Sequence, residues 1–358
     1  MSALAGAPLR VLVVDDSAVV RQAMLQLLSG YAGVEVAVAA DPLIAMERMR
    51  RKEPDVILLD LEMPRMDGLS FLRHLRRENP IPVVVCSGYA AAGTARALEA
   101  LEAGAVEVVG KPRLGVRGFL EESTLLLLDA LRAAAQTRRR RPAAPAPPPT
   151  PAAALRPAGA AGYARQVIAV GASTGGPEAL RQLLGALPED TPGLVIAQHM
   201  PEGFTAAFAR SLDAGSRLRV KEAAHGDRVQ RGQALVAPGN RHLHLRRSAE
   251  GLCVELSQGP LVSRHRPSVD VLFESAAACA GPTAVGLLLT GMGDDGARGL
   301  LAMRQAGSAT LAQDEASSVV YGMPRVAFER GAAQAVVGLA ELPAALLRAC
   351  TRRPGAAP

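Results

Sequence analysis

Short, continuously apolar runs alternate with amphipathic stretches along most of this chain. In its first third the runs LRVLVVD, VEVAVA, DVILLD, IPVVVCS and AVEVV are rich in β-branched residues, as strands buried on both faces of a parallel sheet require. Between them, patterns such as VVRQAMLQLLSG and GLSFLRHLRRE repeat apolar residues at helical spacing, and the first ends on a glycine suited to close a helix. Five strands alternating with five helices predict a doubly wound α/β domain. The second half resumes the alternation with QVIAVG, GLVIAQH, ALVAP, TAVGLLLTG and SATLAQ. There the segment RHLHLRRSAEGLCVELSQ reads as an antiparallel hairpin set between α/β units.

The pattern lapses from Thr137 to Gly162, where TRRRRPAAPAPPPTPAAALRPAGAAG offers no periodic apolar face. Its prolines fix φ and remove amide donors, which predicts a semi-extended linker. The expected organisation is a domain over 1–136, a Pro/Ala/Arg-rich linker over 137–162 and a second domain over 163–358.

Composition narrows the class. With 49% hydrophobic and 21% charged residues in 358, the chain has the balance of a globular protein large enough for two cores. No apolar run approaches the roughly 20 residues that span a bilayer, and the first eight residues lack a basic-then-apolar leader pattern. A cytoplasmic protein without membrane insertion is expected. The four cysteines, Cys86, Cys253, Cys279 and Cys350, are scattered and show no metal or disulfide spacing. The net charge of +6 raises the question of nucleic acid, but there is no Trp, aromatics are 3%, and much of the clustered charge is the single run Arg138–Arg141. Neither stacking platforms nor a basic recognition helix are present, so no nucleic-acid partner is expected.

Two sets of polar residues fall at predicted strand ends, where open α/β sheets bind their ligands. In the first, Asp15 and Asp16 follow the first strand, Asp60 the third, Ser87 the fourth and Lys111 the fifth. Three carboxylates aimed at one spot repel unless a cation intervenes, and Mg²⁺ with its preference for oxygen ligands suits them. One carboxylate could then take a phosphoryl group, with Lys111 and the Ser87 hydroxyl facing the transferred oxygens. Any one aspartate alone would read as a helix cap. Five such residues in this order point to chemistry.

In the second set, VIAVGASTGGPEAL runs from a strand through Gly171-Ala172-Ser173-Thr174-Gly175-Gly176 into a helix, exposing Ser173 on a sharp turn. His199 follows the strand LVIAQ, and Asp294 and Asp295 follow LLLTGMG. A serine needs an imidazole to take its proton, and the imidazole needs a carboxylate to set its tautomer. Gly291-Met292-Gly293 would bring backbone N–H groups beside them. The order Ser, His, Asp differs from the Ser, Asp, His order of α/β-hydrolases. Rescuing that order would require Asp213 or Asp227 with His242, His244 or His265, all in charged, poorly patterned segments. His242 and His244 share one face of a strand, and without carboxylate or cysteine partners at ligand spacing they read as part of a surface strand.

The motifs VLVVDDS, DVILLDLEMPRMDG, VVVCSG and Lys111-Pro112 resemble a response-regulator receiver domain, which has a flavodoxin-like five-stranded parallel sheet. The resemblance implies that Asp60 accepts the phosphoryl group, Asp15 and Asp16 join it in holding Mg²⁺, Ser87 is the switch hydroxyl and Lys111 senses the phosphate. Val108 stands where receivers commonly carry a Phe or Tyr switch residue. GASTGG, QHMPEGFT, LVAPGNRHL, RPSVDVLF and LTGMGDDG resemble the chemotaxis response-regulator methylesterases, the CheB-type protein-glutamate methylesterases. That resemblance implies a mainly parallel α/β hydrolase-type domain with Ser173 as nucleophile, His199 as general base, Asp295 as orienting carboxylate and the Met292 amide at the oxyanion. It further implies hydrolysis of glutamate γ-methyl esters on chemoreceptors without a cofactor, deamidation of receptor glutamines, and phosphorylation by a chemotaxis histidine kinase. The expected control is an unphosphorylated receiver covering the hydrolase rim.

Overall fold

In a computed structural model of the chain, residues 7–63, 66–88, 91–111, 117–139, 163 and 166–351 are described. The chain divides into two units, Met1–Pro142 and Ala143–Pro358. The first alternates β1 (Leu9–Val14), α1 (Ala18–Ser29), β2 (Val34–Ala39), α2 (Pro42–Arg51), β3 (Val56–Leu59), α3 (Gly68–Glu78), β4 (Val83–Ser87), α4 (Ala91–Glu102), β5 (Glu107–Gly110) and α5 (Arg117–Arg139). Its strands are parallel in the order β2-β1-β3-β4-β5, the doubly wound arrangement that the alternation predicts. Central β3 and β4 are buried along their whole length, whereas edge strand β2 is mostly half-exposed. Apolar density in the sequence thus tracks position in the sheet.

The second unit contains β6 (Val167–Ala172), α6 (Gly176–Ala186), β7 (Gly193–Gln198), α7 (Thr205–Ala214), β8 (Arg219–Glu222), β9 (Gln233–Val236), β10 (His242–Ser248), β11 (Gly251–Ser257), α8 (Val269–Cys279), β12 (Ala284–Leu288), α9 (Ala297–Gln305), β13 (Ala309–Gln313), α10 (Met323–Glu329), β14 (Ala335–Val337) and α11 (Leu342–Thr351). Seven strands form one parallel sheet, ordered β14-β13-β12-β6-β7-β9-β8. The expected hairpin is present as the separate antiparallel pair β10-β11. Its inward residues Leu243, Leu245, Leu252 and Val254 join the core with Leu272 and Phe273 of α8, so the hairpin is held by apolar burial on one face. Among the described residues no helix is long and apolar enough to cross a membrane.

Three local findings depart from the sequence reading. The sheet has two strands beyond the five expected, β8 and β14, which are short edges. RVKE is largely charged and AVV is three residues long, so neither shows the apolar run of a central strand. Thr137, Arg138 and Arg139, read as linker, end α5 instead, because Arg138 pairs with Glu53 and donates to the Pro54 carbonyl. The remainder of the expected linker, 140–162, lies outside the described residues. His242, read as part of a surface strand, is buried at 2% exposure, with Nε2 on the Pro260 carbonyl at 2.8 Å and Nδ1 accepting from the Ser268 amide at 3.2 Å.

Candidate active site and phosphoryl pocket

Strand order explains why the second unit has a site where it does. From β6 the chain winds one way through β7 to β9 and β8, and the later strands β12, β13 and β14 extend the other edge. The C-terminal ends of β6, β7 and β12 therefore border a topological switch point, where the sheet opens a crevice. The register Ala172↔Gln198 puts Ser173 opposite His199, and the His199 amide donates to the Ala172 carbonyl at 3.0 Å. On the other side the Ser173 amide donates to the Thr290 carbonyl at 3.0 Å, tying the turn to the end of β12. Gly175 adopts φ 78°, the left-handed region that turns the chain from Ser173 into α6. At Gly291 a Cβ would come within 2.7 Å of the Ser173 Cβ and 2.2 Å of the Met323 Sδ, so only glycine lets this loop approach the serine.

Ser173, His199 and Asp295 are all nearly buried, at 6%, 8% and 2% exposure. His199 Nε2 lies 2.8 Å from Asp295 Oδ2. With the proton on Nε2 as donor to the carboxylate, Nδ1 carries the lone pair. That nitrogen is buried and has no hydrogen-bond partner among the described residues, the hydroxyl of Ser173 included. The imidazole is thus anchored at one end and carries an unengaged nitrogen at the other.

Asp295 is a densely coordinated carboxylate. Besides His199 it accepts from the Ser268 hydroxyl at 2.8 Å and from the amides of Val269 at 2.8 Å and Asp270 at 3.0 Å. Ser268 caps α8, so the carboxylate sits on the amide-rich N-terminus of that helix. Burial alone would raise its pKa, but the His199 hydrogen bond and charge, with the Asp270 and Val269 amides, outweigh burial and hold it at about 2. Its neighbour Asp294 is exposed and pairs with Arg330 at 3.3 Å. The Met292 amide makes no hydrogen bond among the described residues and lies in the turn that Gly291 presses against Ser173.

Other residues of this crevice carried no signal that sequence reasoning used. Gln198 Nε2 donates at 3.0 Å to the carbonyls of both Ser173 and His199, joining the two turns. Asp270 Oδ1 accepts from the amides of Gly296 at 2.9 Å and Gly299 at 2.8 Å, fixing the loop after Asp295. Ser268 was legible in part, since a serine just before VDVLF is a helix-capping pattern. The alternative carboxylates are engaged elsewhere, Asp213 with the Val220 amide and Asp227 with Lys221. His265, one of the histidines set aside with them, instead stacks on His199.

The first unit gathers its own cluster at the ends of β1, β3, β4 and β5. Oxygens of Asp15, Asp16 and Asp60 lie within 4.8 Å of one another. Lys111 Nζ reaches Asp60 Oδ2 at 2.6 Å and Asp15 Oδ2 at 3.1 Å. Asp15 is oriented by the Ser17 amide at 2.9 Å, while Arg21 Nη1 donates to the carbonyls of Asp15 and Asp16 at 2.8 and 2.9 Å. Ser87 is buried at the end of β4, and its carbonyl accepts from the Lys111 amide at 2.9 Å. Burial pushes the Asp60 carboxyl above its ordinary value, the Lys111 hydrogen bond opposes that only in part, and the Asp15 charge adds to the rise. Burial pulls Lys111 down, but its hydrogen bond and charge contacts with Asp60 and Asp15 prevail and raise it. A pocket of hard oxygen donors with one carboxyl held high by burial and a like charge fits a divalent cation. Val108, in β5 opposite Val85, is buried.

The profile described as CheB methylesterase matches residues 168–346, and that described as response regulator receiver domain matches residues 11–115. The chain is 60% identical over 351 residues to a protein of Anaeromyxobacter dehalogenans named protein-glutamate methylesterase/protein-glutamine glutaminase 5, covering 96% of this chain and 97% of that one. A Geobacter metallireducens protein, protein-glutamate methylesterase/protein-glutamine glutaminase 3, is 54% identical over 351 residues, covering 96% of this chain and 99% of the other. The crystal structure of the Thermotoga maritima CheB methylesterase catalytic domain superposes with a TM-score of 0.51 at 34% identity, covering 51% of this chain and 98% of that one. The chain belongs to the CheB methylesterase family, with a response regulator receiver domain ahead of its methylesterase domain.

Proposed function

We propose that this protein is a phosphorylation-regulated protein-glutamate methylesterase that also deamidates glutamines of its protein substrate, acting in chemosensory adaptation. The observation that carries the reading is the buried His199–Asp295 pair, whose free Nδ1 belongs to the ring opposite Ser173. Similarity over nearly the full length to proteins named for both activities supports it.

Ser173 Oγ attacks the γ-carbonyl carbon of the methyl ester as its proton passes to His199 Nδ1. Asp295 holds Nε2–H and balances the imidazolium that forms. The carbonyl oxygen becomes an oxyanion beside the Met292 amide, a donor of a kind worth about 3 kcal/mol in such sites. Collapse breaks the ester C–O bond, and methanol departs with the proton from His199. Water, deprotonated by the same nitrogen, then attacks the acyl-serine, releasing the glutamate and restoring Ser173. With a glutamine substrate the leaving group is ammonia. No cofactor takes part in this hydrolysis.

In the receiver domain, Asp60 accepts the phosphoryl group from a chemotaxis histidine kinase. Asp15, Asp16 and Asp60 would hold Mg²⁺, which screens the carboxylates and the incoming phosphoryl oxygens. Lys111 and the Ser87 hydroxyl face those oxygens. The substrates are chemoreceptors, and the protein works in the cytoplasm. The domains proposed are a receiver over 1–136 and a catalytic domain over 163–358, separated by the linker.

The test is methanol release from methylated receptor by wild type and by Ser173→Ala, with and without Mg²⁺ and a small acyl phosphate. Release that requires Ser173 and rises with the phosphodonor is expected. Equal release by a folded Ser173→Ala protein would refute the assignment.

A further inference from the structure

The ring of His265 lies parallel to that of His199, with centroids 3.6 Å apart and planes 10° apart. Aromatic rings left to themselves prefer offset or edge-on arrangements to so direct an overlap, so this one is imposed by the chain around it. The imposing device is visible. Val262 and His265 exchange two backbone hydrogen bonds, at 3.2 and 2.9 Å, around the two-residue turn Ser263-Arg264. Both turn residues have positive φ, 50° and 66°, without being glycine. That is the type I′ reversal that closes a two-residue hairpin, and it is here built from residues other than the usual Asn-Gly, at a cost in backbone strain.

Arg266 anchors this turn. Its guanidinium donates to the Gly259 carbonyl and to Asn240 Oδ1, both at 2.6 Å, and Asn240 in turn donates to Glu202 at 3.1 Å, three residues beyond His199. The loop that carries His265 is thereby tied to the loop that carries the base.

What the ring offers His199 is its face. Neither ring nitrogen of His265 has a hydrogen-bond partner among the described residues, and the residue is half-buried. Burial first, and the nearby His199 charge second, hold its pKa well below the ordinary value, so the ring stays neutral. Asp295 fixes one atom of the His199 ring, which still leaves the ring free to twist about the axis through that contact. A flat neighbour against its face removes that freedom.

We propose that His265 is a positioning residue, which by stacking on His199 fixes the plane of the general base and keeps its Nδ1 lone pair directed at Ser173. The proposal rests on His199 being the base. Misplacement of a reacting group by about 1 Å can lower rates by about 100-fold.

The experiment uses the whole chain, activated by Mg²⁺ and a small acyl phosphate, and reads kcat and KM for methanol release from methylated receptor. His265→Leu keeps bulk without a flat face, and His265→Phe keeps the face without ring nitrogens. We expect His265→Leu to lose about 10- to 100-fold in kcat with KM changed less than about threefold. His265→Phe is expected to stay within about threefold of wild type. The downfield proton resonance of His199 Nε2–H should be sharp in wild type and His265→Phe and broadened in His265→Leu. If His265→Leu does not fold, His265→Asn, polar and lacking the face, takes its place. Wild-type kcat in the Leu or Asn variant overturns the proposal. So does an equal loss in His265→Phe, which would assign the effect to a ring nitrogen. Ser173→Ala runs beside them as a control: if it retains activity, the parent reading fails, whereas its inactivity beside an active His265→Leu removes only the stack.

Discussion

Two buried aspartates, Asp60 and Asp295, stand at strand ends of the two parallel sheets, at 3% and 2% exposure, and their environments drive them in opposite directions. Asp295 has four donors, two of them amides of a helix N-terminus, and is held at about 2. Asp60 has Lys111 and a long 3.3 Å contact from the Glu62 amide, faces Asp15, and is pushed up. Burial is common to both, so the donors decide. A saturated carboxylate is fixed in place and unreactive, which suits an orienting group. An under-satisfied one keeps a lone pair and a demand for positive charge, which suits a nucleophile toward phosphorus with a cation beside it.

The largest effects should fall on the esterase chemistry. Ser173→Ala is expected to reduce kcat for methanol release by about 10⁴-fold or more while unfolding like wild type, since the triad acts as a unit and the side chain is small. Asp295→Asn should reduce kcat by about 10³- to 10⁴-fold, because an amide cannot set the His199 tautomer. Asp294→Asn should stay within about threefold, its ion pair among the described residues being an exposed one with Arg330. Similar losses at 294 and 295, on the same ester, would break the contrast drawn above.

The receiver aspartate should act on regulation. Asp60→Asn is expected to abolish stimulation by acyl phosphate and Mg²⁺ and leave basal hydrolysis within about threefold. Residues 163–358 alone should hydrolyse ester faster than the unphosphorylated whole chain if the receiver restrains the esterase, and a slower fragment would exclude restraint.

The smallest effects are the most diagnostic, because they should have opposite signs. Asp295 has a folded pKa below its unfolded value, so its contribution to stability is complete above the ordinary 3.8 and is lost as pH falls through about 2. Asp295→Asn should therefore destabilise the protein at neutral pH by about 2 kcal/mol, and the gap should narrow in acid. Asp60 has a folded pKa above its unfolded one, so its ionised form weakens the fold at neutral pH. Asp60→Asn should raise stability without Mg²⁺, less with it and less in acid, to the extent that burial of the charge outweighs its pairing with Lys111. Urea midpoints across pH, with and without Mg²⁺, measure both, and two shifts of the same sign would show that burial rather than donor count governs these carboxylates.

Much of this was legible in the residues alone. Apolar runs of β-branched residues marked every central strand, because burial on both faces leaves no room for polar alternation. Strand-end polar residues marked both candidate sites, because open sheets of this kind bind there. Within the esterase, residue chemistry reached Ser173, His199 and a carboxylate at 294 or 295, and the choice of Asp295 came from the motif LTGMGDDG. The structure adds a reason of its own: Asp295 is the one that reaches the α8 N-terminus and His199, while Asp294 faces solvent.

What the sequence by itself determined was the kind and order of the elements and the chemistry offered at their tips, since these follow from local periodicity and residue type. Tertiary structure alone decided which tips meet. The order β14-β13-β12-β6-β7-β9-β8 sets β12 beside β6, bringing Ser268 and Asp295 to the same carboxylate contact and His265 onto His199. It also chose Nε2 of His199 for the aspartate and buried His242 beneath Ser268. Periodicity reports how deeply an element is buried but not which loop lies against which. That depends on strand order and on turns such as Ser263-Arg264, which reverses the chain with two positive-φ residues and sets His265 against His199.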